Sequence, residues 1–181
     1  MPKKDLKTEK TLEPQVGLIW GMLEDVRKIS LKGIEGLTKE QLFQEPIEGE
    51  YPIGAYLFHF AEAELFWLGV ASETEQPKEL KQEIYENHWF DPSEKNPKPP
   101  TKPLKVEEYL NGLQKVRNRL KDFIFGLKDS DLERFVLLKK TLKNAEEPWE
   151  ISIKWILYHL IEHEAHHRGQ MFTLIRKGKL K

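Results

Sequence analysis

The sequence predicts an all-α protein, a four-helix bundle with one long crossover between its second and third helices. Three observations carry that prediction. Apolar residues recur at spacings of three and four through four long segments, as the buried face of a helix requires. Five of the eleven prolines (Pro92, Pro97, Pro99, Pro100 and Pro103) fall within twelve residues, between the second and third of those segments. No internal repeat or heptad array is present, which leaves the simple bundle as the economical architecture.

The first helix is expected from about residue 12 to 35, on the stripe Val16, Ile19, Leu23, Val26 and Ile29. Thr11 is a candidate cap, and Pro14 suits a first turn. Thr38-Lys39-Glu40-Gln41 reads as a capping box opening a short helical turn. Residues 53–72 contain no proline and few surface-type residues, so the second helix should be largely buried. The Pro-rich stretch, taken as about 85–104, is a long loop of the kind that covers a site or crosses between distant elements. The third helix follows on Val106, Tyr109, Leu110, Leu113, Leu120, Ile124 and Leu127. Residues 128–151 are ambiguous, with Phe135–Leu142 readable as an extended hairpin arm or an irregular loop. Ser152 can cap a last helix over about 152–177, and Gly178 is a stop signal.

Composition bounds the function. The 181 residues fit one domain, 1–181, carrying the Pro-rich insert. The 29 basic and 30 acidic residues leave a net charge of −1, which argues against a nucleic-acid-binding face. With no cysteine, disulfides, a thiolate nucleophile, iron–sulfur ligation and Cys-held zinc are excluded. The start has charges but no apolar run behind them. The apolar run 53–71 holds His59, Glu62 and Glu64, which would be costly in lipid. A cytoplasmic protein with no membrane partner is the expectation.

The chemistry concentrates in the last helix. Four of the six histidines, His159, His163, His166 and His167, lie within nine residues. Positions four apart on a helix differ by about 40°, so His163 and His167 project side by side, the spacing by which one helix offers two imidazoles to a metal. The apolar stripe of this helix centres within about 20° of His167 and about 60° of His163. His166 lies furthest round and should be solvated. A single histidine at a core edge is usually a hydrogen-bonded core residue; two, inward and four apart, bring the ligand reading to even weight.

The segment His163-Glu164-Ala165-His166-His167 also fits H-E-x-x-H, the zinc-protease pattern. Only 14 residues follow, with no His, Asp or Glu among them, so a downstream third ligand is impossible and that reading fails. A di-iron carboxylate bundle fails too, because Glu164 and His167 form a Glu-x-x-His motif that has no second copy. A third ligand must come from upstream. The best candidate is His59, set in Tyr56-Leu57-Phe58-His59-Phe60-Ala61-Glu62 among apolar neighbours, where an unsatisfied ring would cost about 1–3 kcal/mol. His88, beside Trp89, reads as a surface or lid residue.

The motif His59-Phe60-Ala61-Glu62-Ala63-Glu64, followed by His159-Leu160-Ile161-Glu162-His163-Glu164-Ala165-His166-His167-Arg168-Gly169-Gln170-Met171, resembles the DinB family of four-helix-bundle metalloproteins, which is distinct from the DNA polymerase of similar name. The resemblance runs from the first helix to the last. It implies one divalent metal, zinc or nickel with iron as a further candidate, held by His59, His163 and His167. It also implies homodimers and chemistry of the kind performed by metal-dependent thiol transferases, thiol-dependent isomerases and enzymes of thiol-histidine biosynthesis. A low-molecular-weight thiol is thus an expected co-substrate. The Pro-rich insert is longer than the family pattern, so the shape of the substrate entrance departs from it.

Glu164 falls on the inward arc, able to orient a ligand histidine or accept a proton; alternatively it pairs with Arg168 one turn on. His159 and Gln170 flank His163 and are expected to hydrogen-bond near the metal. Phe66, Trp67, Trp89 and Trp155 line either a pocket or plain core. The basic tail after Arg168 complements a helix C-terminal dipole. The expected function is therefore a metal-dependent transferase or hydrolase acting on a small molecule. Its rivals are a non-catalytic metal- or small-molecule-binding stress or sensor module, and a bundle whose histidines are purely structural.

Overall fold

The computed structural model describes residues 5–85, 100–138 and 148–181. Four long helices carry the fold: α1 (Pro14–Ile34), α3 (Ile53–Ser72), α5 (Val106–Phe125) and α6 (Ile153–Lys177). Two short helices, α2 (Lys39–Phe43) and α4 (Lys78–Tyr85), and a 3₁₀ turn at Asp129–Glu133 lie between them. Strands β1 (Phe135–Leu138) and β2 (Trp149–Ser152) pair antiparallel, Phe135 opposite Ser152. Most of the Pro-rich stretch, with His88 and Trp89, lies outside the described residues.

Local signals account for most boundaries. Pro14 occupies the first turn of α1, as its fixed φ allows. Thr38 and Gln41 form the reciprocal capping box of α2. Ser152 caps α6 by accepting from the Trp155 amide, and Gly178 closes it. Thr11 is not the cap of α1, contrary to expectation: its hydroxyl donates to the Glu9 carboxylate at 2.8 Å. The exposed amides of α1 are met from a distance instead, by the Asp129 carboxylate, which accepts from Gln15 and Val16 at 3.0 Å. An acid at a helix N-terminus serves both the free amides and the dipole. The basic tail acts likewise across helices, since the Lys181 ammonium donates to the Gly33 carbonyl near the end of α1 at 2.9 Å. Of the two readings for Phe135–Leu142, the hairpin arm is correct for 135–138.

α3 is the central helix. It packs against α5 on one side and α6 on the other, while α1 lies on α6. Its side chains Ile53, Leu57, Phe60, Leu65 and Leu68 are almost fully buried, each stabilising the fold by about 1.5–3 kcal/mol relative to exposure. Close approach of α1 and α6 depends on Gly33, where a Cβ would lie 1.9 Å from the Phe172 ring. No described helix is long and apolar enough to cross a membrane.

Candidate metal centre

His59 of α3 and His163 and His167 of α6 converge where those two helices pack. Their ring centroids are 4.7 Å (59–163), 4.7 Å (59–167) and 4.5 Å (163–167) apart. One nitrogen from each lies within 4.8 Å of the other two. The i, i+4 spacing on α6 places its pair, and the antiparallel packing of α3 delivers the third ring. All three residues are half-buried.

Hydrogen bonds orient two of the rings. The Nδ1 of His167 lies 2.7 Å from Gln170 Oε1, and the Nδ1 of His59 lies 3.4 Å from Glu62 Oε2. Oxygen acceptors require N–H at those positions, so Nε2 carries the lone pair on both rings. This is the arrangement by which a carboxylate or amide fixes a metal-binding histidine. Electrostatics agree. Burial pushes the His163 imidazole down to about 3, with the neighbouring histidines adding to the effect. His167 is also lowered, chiefly by burial and partly offset by Gln170. Neutral imidazole is the form that binds a metal. Three convergent ring nitrogens, on rings of which two have a fixed tautomer, fit one divalent ion.

The other predicted residues separate clearly. His166 is exposed, as expected, and its Nε2 accepts from the Gln170 amide at 3.2 Å. Gln170 therefore steadies His167 rather than His163. His159 lies beyond the triad, stacked flat on Trp155 and 3.6 Å from Glu162; burial lowers its pKa. Glu164 does not pair with Arg168. It is buried on another face of α6, held by Arg27 at 3.0 Å and Arg117 at 3.4 Å. Arg168 turns toward the Val26 carbonyl instead.

Glu62 is the acid beside the triad, and the sequence reading gave it no role. Its signal was its place three residues after His59, on the same helix face. Arg27, Glu64 and Arg117 were missed as well. With Glu164 they form a buried network in which each of the four long helices supplies one charge. Arg27 bonds Glu64 at 2.9 Å, Arg117 bonds Glu64 through two nitrogens, and Arg117 also reaches the Leu23 carbonyl at 2.8 Å. A cavity of about 550 Å³ lies at the Gln170 end of the site, lined by Tyr56, His166, Gln170, Thr173 and Lys177 among others.

The sequence model of the DinB superfamily matches residues 22–171. Among solved structures, a conserved protein from Enterococcus faecalis superposes with a TM-score of 0.64 at 12% identity, covering 88% of this chain and 94% of that one. A DinB-like protein from Bacillus cereus superposes with a TM-score of 0.61 at 21% identity, covering 89% and 93%. No curated protein matches.

Proposed function

The chain belongs to the DinB superfamily, and from that premise we propose that it is a metal-dependent enzyme acting on a small molecule, of the thiol-transferase or hydrolase type. The observation that carries the proposal is the set of three convergent imidazole nitrogens, within 4.8 Å of one another and, among the described residues, joined by no fourth protein ligand. Structural metal sites are closed by four protein ligands, whereas catalytic ones keep a position open.

His59, His163 and His167 would hold the ion, zinc or nickel first and iron next, since three imidazoles suit all of these. The ion would supply Lewis acidity to a thiol or water at the open position. The chain's own residues do the rest. Glu62 and Gln170 hold two rings in one tautomer, so the site is organised before a ligand arrives. Burial favours the unprotonated form of His163 and His167.

The test is elemental analysis of tag-free protein after dialysis and after reloading with zinc or nickel, followed by thiol-transfer and hydrolysis screens. About one ion per chain is expected. Protein that stays metal-free after reloading would defeat the proposal. Bound metal with no turnover would reduce it to a metal-binding module.

A further inference from the structure

The triad sits on a seam between α3 and α6 that continues past it both ways. The helices run antiparallel, so Tyr56 meets His167 at one end and Trp67 meets Trp155 at the other. Positions four apart stack along such a seam. On α6 they are Trp155, His159, His163 and His167; on α3 they are His59, Ala63 and Trp67.

The two directions differ in chemistry. Beyond His167 the seam is polar, and the Gln170 amide there is committed to His167 and His166. Beyond His163 it is aromatic without a break. The His159 ring lies 5.6 Å from His163 and stacks on Trp155 at 4.9 Å with 3° between the planes. Trp67 meets His159 and Trp155 edge-on at 5.1 and 5.5 Å, and Phe66 meets Trp67 at 5.1 Å. Trp155 nevertheless remains 41% exposed. The α3 position between His59 and Trp67 is Ala63. Ala63, Trp67 and His159 are half-buried and Trp155 is exposed, so the wall keeps solvent-facing surface next to the metal ligands.

Trp155 spends one face on His159 and still remains exposed, and the indole surface left over rewards a flat partner through stacking and apolar burial. The geometry points to a planar aromatic group on the substrate, lying against Trp155, Trp67 and His159 while its polar end reaches the triad. The inference rests on the metal reading above and names the substrate class for that site.

Two hydroxamates test it, because both carry the same metal-binding group and differ only in phenyl against methyl. Calorimetry on zinc-loaded protein should give benzohydroxamate an advantage over acetohydroxamate of about tenfold or more. Benzohydroxamate should also quench the tryptophan fluorescence. In Trp155→Ala, checked for a native fold by circular dichroism, the advantage should fall to about twofold or less, with acetohydroxamate affinity unchanged. Trp67→Leu is the second variant and should act in the same direction. Equal affinities in the wild type, or an aromatic advantage that survives both substitutions, would overturn the inference and leave the metal reading standing. If neither compound binds zinc-loaded protein, the open metal position fails and the inference falls with it.

Discussion

The bundle holds two polar clusters that share helices α3 and α6, and they are built on opposite plans. In the network of Arg27, Glu64, Arg117 and Glu164, two positive and two negative charges are buried together and each faces an opposite charge. In the triad of His59, His163 and His167, three imidazoles converge, and the outer nitrogens of His167 and His59 are the ones held by Gln170 and Glu62. The first cluster is closed, its donors and acceptors consumed within the protein. The second directs its lone pairs at a common point. His163 and Glu164 are neighbours in sequence yet serve one plan each, because adjacent helix positions differ by about 100°. Burial of polar groups is thus no guide to function by itself; what matters is whether the groups satisfy one another or converge on a space between them.

Substitution should separate the two clusters. The largest effect is expected at the triad: His59→Ala, His163→Ala and His167→Ala should each abolish stoichiometric metal, while His166→Ala and His159→Ala retain it. Mass spectrometry of reloaded protein measures this, and full occupancy in any of the first three variants would remove that residue from the ligand set. Next comes the network. Arg117→Ala leaves Arg27 alone against the two buried carboxylates Glu64 and Glu164 and should cost about 3–5 kcal/mol in denaturant unfolding. The folded fraction should still take up metal with near-normal affinity. A loss below about 1 kcal/mol would mean that water enters and replaces the arginine.

Smaller effects sharpen the contrast. Gln170→Leu keeps the ligands but frees the His167 ring, so zinc affinity should fall by about tenfold to a hundredfold. Competition against a chromophoric chelator reads this directly, and unchanged affinity would show that packing alone orients His167. A further contrast concerns acid. The His163 pKa drops from its ordinary 6.5 to about 3 in the fold, so between those values the unfolded chain binds a proton that the folded one does not. Stability of the metal-free protein should therefore fall as pH drops below 6.5, by up to about 1.4 kcal/mol per pH unit. His163→Leu should flatten that slope, as followed by urea midpoints across pH.

Much of this was legible in the sequence. The four long helices, the α2 capping box, Ser152 and Gly178 at the ends of α6, and the paired projection of His163 and His167 all follow from spacing along one helix. A turn of about 100° per residue sets those directions before any packing occurs. The choice of His59 followed from chemistry, because a ring among Leu57, Phe58 and Phe60 needs a partner.

What tertiary structure alone decided are the contacts between segments far apart in the chain. Asp129 rather than Thr11 meets the N-terminus of α1, because the 3₁₀ turn folds back onto it. Glu164 reaches Arg27 and Arg117 rather than Arg168, because α1 and α5 bring guanidinium groups to its face and exclude water there. The meeting of Trp67 with Trp155 and His159 exists only in the antiparallel register of α3 on α6. Local periodicity fixes which way a side chain points from its own helix. What it meets depends on the rotation and register of the neighbouring helix, and those are set by packing the whole core.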